Sequence, residues 1–213
     1  MKKLLIGIAI AALAFALIVS PCAAWGSIAH EYIAQRVLRQ VTISNTTAFY
    51  AGCVLPDVAL ANSWGKTDAR RAKFHTQAYL DNLKKYATTQ ELKDFVKGWT
   101  THIVSDSVES AYSKVKRLSA DWGVDKLLRS SNVNVAISNN IATLMVRAWI
   151  ATYPTDTSVN VTWIKNSAGI FNLYLMGLYN PMNARDAQKF SIDYQVYLNQ
   201  SVKLSVEAIK KLG

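Results

Sequence analysis

The chain has 213 residues, with 24 lysines and arginines against 14 acidic residues and a formal net charge of +10. That length supports one domain with a real hydrophobic core and is short for two. Such a charge draws an exported protein to lipid headgroups, nucleic acid or acidic cell-wall polymers without choosing among them. In chain order, Lys2 and Lys3 precede an apolar run over residues 4–19, and Pro21 and Cys22-Ala23-Ala24 follow. This pattern predicts a signal peptide over residues 1–24 and a mature domain over 25–213, secreted or held in the cell envelope. Two alternatives stay open, a retained membrane anchor and a lipoprotein acylated at Cys22. Loss of Lys2 and Lys3 with the leader lowers the charge by two, to +8. The mature chain then carries Cys53 alone, which excludes an internal disulfide and a thiolate zinc site of the finger type.

Helical periodicity runs through the rest. Residues 27–41 place Ile28, Tyr32 with Ile33, and Val37 with Leu38 on one face. Ser44 or Asn45 caps a short helix through residue 51, and Pro56 stops it. Thr67 or Asp68 caps a helix through residue 86. Thr88 or Thr89 then opens a long one, with Glu91 in its first turn. Helices follow over 130–152, 161–179 and 184–212, separated by Tyr153-Pro154-Thr155-Asp156 and Asn180-Pro181. No strand pattern or repeat interrupts them. The expected fold is all-α, one domain of about seven helices.

The chemistry concentrates on three histidines, all that the chain contains. Trp25-Gly26-Ser27-Ile28-Ala29-His30 offers an amine (if Trp25 is the mature terminus), a carbonyl and an imidazole. Pro56-Asp57, Phe74-His75 and His102-Ile103-Val104-Ser105-Asp106 follow. Together these make a mixed nitrogen and oxygen donor set of the kind Zn²⁺ takes. On the long helix Phe95, Trp99, His102, Asp106 and Glu109 share one stripe, and His102 with Asp106 at i, i+4 can face one ion. A plain His–Asp ion pair on the helix face is the alternative.

These segments resemble the zinc-dependent phospholipase C superfamily, which includes the fungal single-strand-specific nucleases. They also resemble the amino-terminal domain of glycosylphosphatidylinositol-specific phospholipase D. Trp25 and His30 match the opening of such chains. Tyr50-Ala51-Gly52-Cys53-Val54-Leu55-Pro56-Asp57 matches a glycine-to-Pro-Asp segment, and Phe74-His75 and Gly98-Trp99-Thr100-Thr101-His102 through Asp106 match the later ligands. The resemblance covers roughly the first half of the mature chain. It implies one zinc on Asp57, His75, His102 and Asp106. A second would sit on the Trp25 amine and carbonyl and on His30, with Asp106 as bridge. Asp57 and Asp106 would be the residues serving catalysis, by a metal-activated hydroxide.

The chain departs from the family at the third zinc. Tyr112 stands near one of the expected histidine positions, and no histidine follows His102. Asn139, Asn140, Ile141 and Met145 occupy a helix that would have carried the other ligands. Two ions are therefore expected, with Glu109 the one nearby acidic substitute for a rebuilt third site. The expected activity is a phospholipase C-like phosphodiesterase on phospholipid headgroups, with an anionic membrane surface as partner and no protein partner. A single-strand nuclease on the same metal core, and a metal- or lipid-binding protein without turnover, are the other readings. Arg70, Arg71 and Lys73 either attract phosphate or form a wet helix face. Trp64, Trp99 and Trp122 read as core before they read as a wall beside the metals, and Tyr112 as a core tyrosine before a phosphate donor. Cys53 reads as small core, and Lys203, Lys210 and Lys211 as solvated.

Overall fold

This computed structural model describes residues 26–59, 69–116, 135–177 and 193–213, and for residues 109–116, 173–177 and 193 the backbone alone. The described residues form eight α-helices and one 3₁₀ turn, with no strand among them. None of these helices is long and apolar enough to cross a membrane.

Helix α1 (Ser27–Leu38) buries Ile28, Ala29, Ile33, Ala34 and Val37. It stops short of residue 41, its last turn closing through Gln40 N–H on the Val37 carbonyl at 2.8 Å. Asn45 caps α2 (Thr46–Val54), its side chain accepting the Ala48 N–H. The same residue's N–H donates to the buried Asp94 carboxylate at 2.8 Å. Pro56 does end this helix, but only after Val54. Leu55–Asp57 tightens into a 3₁₀ turn, where an absent proline N–H costs nothing, and the turn carries Asp57 inward.

The segment ending at Tyr86 is two helices where the spacing predicts one. Helix α3 (Ala69–Phe74) ends, and α4 (Gln77–Tyr86) restarts behind a Thr76 cap that accepts the Tyr79 N–H. Thr76 competes with the helix backbone as an N-cap does, so His75 falls in the break. Thr67 and Asp68, the expected caps, lie outside the described residues.

Helix α5 (Gln90–Lys116) is the axis of the fold and packs chiefly on α2 and on α8 (Asp193–Lys210). Its crossing with α2 is backbone on backbone. A methyl group at Gly52 would stand 2.0 Å from the Phe95 carbonyl oxygen, and one at Gly98 2.0 Å from that of Phe49. Only glycine at both positions permits that approach.

Helix α6 (Asn139–Thr152) begins at its Ser138 cap, later than the pattern suggests. Within the described part, residues 135–138 are not helical. Asn172 of α7 (Val161–Gly177) accepts the Val135 N–H at 3.0 Å and donates to its carbonyl at 3.2 Å, holding the lead-in to α6. Residues 130–134, 178–179 and 184–192, also expected to be helical, lie outside the described residues. Between α4, α5 and α6 sits an aromatic core of Phe74, Tyr79, Phe95, Trp99 and Trp149, all fully buried. Its rings meet at 4.9 Å for Phe74 with Trp149 and 5.4 Å for Tyr79 with Trp99. Trp99 and Cys53 are core, as their sequence surroundings suggest.

Candidate metal centre

The glycine crossing sets the site. Because α2 and α5 touch at Gly52 and Gly98, the Cys53 carbonyl reaches His102 one turn further along, and Nδ1 of His102 donates to it at 2.8 Å. Nδ1 of His75 donates to the Arg71 carbonyl at 2.7 Å. The Ser105 hydroxyl spends its one proton on the His102 carbonyl at 2.9 Å. It can then only accept from His30 Nδ1, 3.0 Å away. Each neutral imidazole is thereby fixed as the Nδ1–H tautomer, with a bare Nε2 lone pair.

Those lone pairs converge. Nε2 of His75 and Nε2 of His102 are 2.9 Å apart. His30 stacks on His102 with ring centroids 3.7 Å apart and an interplanar angle of 18°. Asp106 stands between them. Its Oδ1 is 3.0 Å from His30 Nε2, and its Oδ2 is 3.2 Å from His102 Nε2 and 3.4 Å from His75 Nε2. Asp57 Oδ1 lies 3.5 Å from His75 Nε2. His30 Nε2 is buried and makes no hydrogen bond. Lone pairs facing lone pairs and carboxylates repel unless a cation or a proton lies among them.

The charges respond accordingly. Burial pushes the Asp106 carboxyl up, but His102 and His30 outweigh it and hold it well below the usual range. Asp57 is also held low, burial being outweighed by the Arg71 guanidinium, His102 and His75. Burial lowers the His102 pKa, yet Asp106 and Asp57 reverse the sign and raise it. His30 goes the other way, through burial and then the charge of His102 stacked upon it. Two stacked imidazoles cannot both carry charge, so the cluster concentrates its positive charge at one place.

Ligand atoms of His30, Asp57 and His102, and separately of His75, His102 and Asp106, lie within 4.8 Å of one another. These buried His/Asp groups can hold a metal ion. The floor (His30, Asp57, His102) is closed, whereas the His75 and Asp106 side chains keep 15% and 13% of their surface exposed, leaving a side for entry. Trp25 and the side chain of Glu109 lie outside the described residues, as do the side chains of Tyr112, Trp64 and Trp122. On α6, Ile141 and Met145 are core, while Asn140 donates to Glu91 and Asn139 accepts from Lys165. That helix supplies nothing to the cluster.

The basic run before His75 is neither a wet face nor an open phosphate site. Arg71 Nε donates to Asp57 Oδ1 at 2.7 Å, Lys73 pairs with Asp156, and Arg70 lies 4.4 Å over the Trp163 ring. Sequence reasoning gave these roles to none of five contributors: Ser105, the Cys53 and Arg71 carbonyls, the Arg71 guanidinium as partner of Asp57, and Tyr153. The Tyr153 hydroxyl donates to the Lys73 carbonyl at 2.9 Å and meets Thr76 Oγ1 at 2.8 Å, bracketing the break that bears His75. Ser105 alone had a signal, at i+3 from His102 and beside Asp106. Glu31 is a separate buried carboxyl, its pKa pushed up to about 7 by burial against a Gln35 hydrogen bond.

Comparison with protein-family models, curated proteins and solved structures found no match to this chain.

Proposed function

We propose that this chain is an extracytoplasmic zinc-dependent phosphodiesterase with a two-ion centre, acting on phospholipid headgroup esters. One observation carries the two-ion reading: the oxygens of Asp106 face different histidines, Oδ1 toward His30 and Oδ2 toward His75 and His102. An imidazole nitrogen has one lone pair and serves one ion, so a carboxylate spread between two histidine sets is the group able to bridge. Asp57, His75, His102 and Asp106 would hold the first ion. His30 and Asp106 would begin the second, with the Trp25 amine and carbonyl completing it if the mature chain starts there. Three nitrogens and two carboxylates suit Zn²⁺ over the harder, oxygen-seeking cations.

Bound divalent ions would lower the pKa of water and neutralise charge developing at phosphorus. This chain's own residues prepare that chemistry. Ser105 and the Cys53 and Arg71 carbonyls hold the imidazoles with their basic nitrogens inward. Arg71 fixes Asp57 and adds a permanent positive charge beside the cluster, favourable to a phosphate anion. The exposed edge at His75 and Asp106 is the side from which an ester approaches.

The test is metal analysis of exported protein, with hydrolysis of phosphatidylcholine and of single-stranded DNA. About two zinc per chain, with chelator-sensitive lipid cleavage, is the expected result. Cleavage of DNA alone would make the protein a nuclease, and two bound zinc ions without turnover would leave a binding protein. Protein without zinc would end the reading.

A further inference from the structure

On the face of α1 turned away from His30, a groove of about 400 Å³ is lined by Arg36, Arg39, Gln40, Asn199, Val202 and Lys203. At ~100° per residue, Arg39 lies about 180° and Arg36 about 240° round the helix from His30, so the metal centre and the groove are separate. The lining is two short pairs set against each other. Arg36 on α1 with Gln40 in the turn that follows it, and Asn199 with Lys203 on α8, are the two facing pairs. Arg39 adds a second guanidinium at i+3 from Arg36. Three like charges line one groove. Among the described residues, no carboxylate forms an ion pair with Arg36, Arg39 or Lys203.

The groove is also partly fixed in advance. The Arg36 guanidinium stacks 4.4 Å from the Tyr32 ring centroid and donates to Asn199 Oδ1 at 3.0 Å, so α1 and α8 hold it between them. Buried Val202 forms an apolar floor beneath the polar rim. Two guanidiniums, an ammonium and two carboxamides match a tetrahedral dianion with several acceptor oxygens better than a single carboxylate.

We infer that this groove is a second anion site, taking the phosphate group of a phosphomonoester. The phosphate comes either from a small soluble molecule or from an anionic lipid headgroup, and the chemistry that recognises it is the same. This inference does not depend on the metal centre's being catalytic.

The experiment uses the full mature chain, zinc-loaded, with glycerol 3-phosphate as soluble probe. Phosphatidylcholine vesicles doped with phosphatidic acid present the same group on a membrane. Amide shifts are followed in titration, and vesicle binding by co-sedimentation. Shifts centred on residues 36–40 and 199–203 are expected. Arg36→Gln with Arg39→Gln should weaken binding at least about ten-fold. Lys84→Gln with Lys85→Gln, the same change in net charge on α4, should leave it within about two-fold. Response to glycerol 3-phosphate marks a soluble ligand, and response to vesicles alone marks a lipid. Equal weakening by both double variants would reduce the effect to net charge and overturn the proposal. So would shifts confined to His75 and Asp106, or no binding of either probe. Unchanged hydrolytic activity in Arg36→Gln with Arg39→Gln would separate this site from the centre on the other face of α1.

Discussion

Along α5 two regions meet that are built on opposite logic. Around Trp99 the aromatic rings of Phe74, Tyr79, Phe95 and Trp149 fill space against one another, and the Tyr79 hydroxyl reaches the Met145 carbonyl at 3.0 Å. One turn further on, His102 and Asp106 meet His30, His75 and Asp57 in a cluster that is buried except at His75 and Asp106. The first region is held by contacts between neutral rings, with the Trp99 indole nitrogen buried and without a hydrogen-bond partner among the described residues. The second gathers basic nitrogens and carboxylates whose mutual repulsion a cation or a proton relieves. Burial alone therefore says little about purpose; what separates the two regions is that one buries neutral rings and the other buries carboxylates against imidazoles.

The change expected to break both regions at once is at their shared crossing. Gly98→Ala puts a methyl group 2.0 Å from the Phe49 carbonyl oxygen and 2.9 Å from the Cys53 N–H nitrogen, atoms of backbone that cannot swing aside. Helices α2 and α5 must part, withdrawing the Cys53 carbonyl from His102. A loss of about 3 kcal/mol or more is expected in denaturant unfolding, with zinc affinity falling alongside. A variant that keeps its midpoint would show that the two helices do not rely on this contact.

Asp106→Ala should separate the regions. Removing the group that faces all three histidines should weaken zinc binding by more than about 100-fold, read with a competing chelator. The aromatic region should keep its near-ultraviolet signal. Zinc at ~100 times its dissociation constant should stabilise the wild type by about 2.7 kcal/mol, and chelator should remove that gain. Asp57→Ala is expected to be milder, because Asp57 already shares its Oδ1 with Arg71. The reverse ranking would shift the centre of the site to Asp57.

Much of this contrast was legible in the residues. A chain with three histidines, each near an aspartate or an apolar helix face, allows few arrangements, and the i, i+4 spacing put His102 and Asp106 together. Phe95 and Trp99 were readable as core by the same periodicity. What escaped was whatever depends on backbone or on distant pairing. The Cys53 and Arg71 carbonyls have no identity in a sequence. Arg71 looks like a wet-face residue until the 3₁₀ turn brings Asp57 beneath it. The break at His75 was hidden because Ala69 to Tyr86 keeps helical spacing on both sides of it, and Thr76 announces a cap only once the turn exists.

Tyr153→Phe tests how the aromatic side supports the metal side. The hydroxyl holds the Lys73 carbonyl and Thr76 on either side of His75, while the ring packs on Trp149 at 4.9 Å and stays in place in the variant. A stability loss of about 1 kcal/mol is expected, with zinc affinity lower by about ten-fold. A stability loss without any change in zinc affinity would make Tyr153 a purely structural residue.

The smallest effect should come from Asp156, at the solvent edge of the aromatic region. Its carboxyl is held well below the usual range by the Lys73 ammonium and by Ser158. The folded state thus binds its proton more weakly than the unfolded chain does. The stabilisation is present above the ordinary carboxylate pKa of about 4 and fades as pH falls below it. Both partners remain partly exposed, so solvent screening holds the contribution to less than about 1 kcal/mol, and salt should diminish it further. Asp156→Asn leaves the backbone carbonyl that accepts the Trp149 indole N–H at 2.9 Å, and removes only the charge. Its deficit in unfolding free energy relative to wild type should be visible at about pH 7 and low salt, and should shrink toward about pH 2. A deficit of equal size at both pH values would place the loss in side-chain hydrogen bonding to Ser158, and the aromatic region would then owe nothing to charge at its edge.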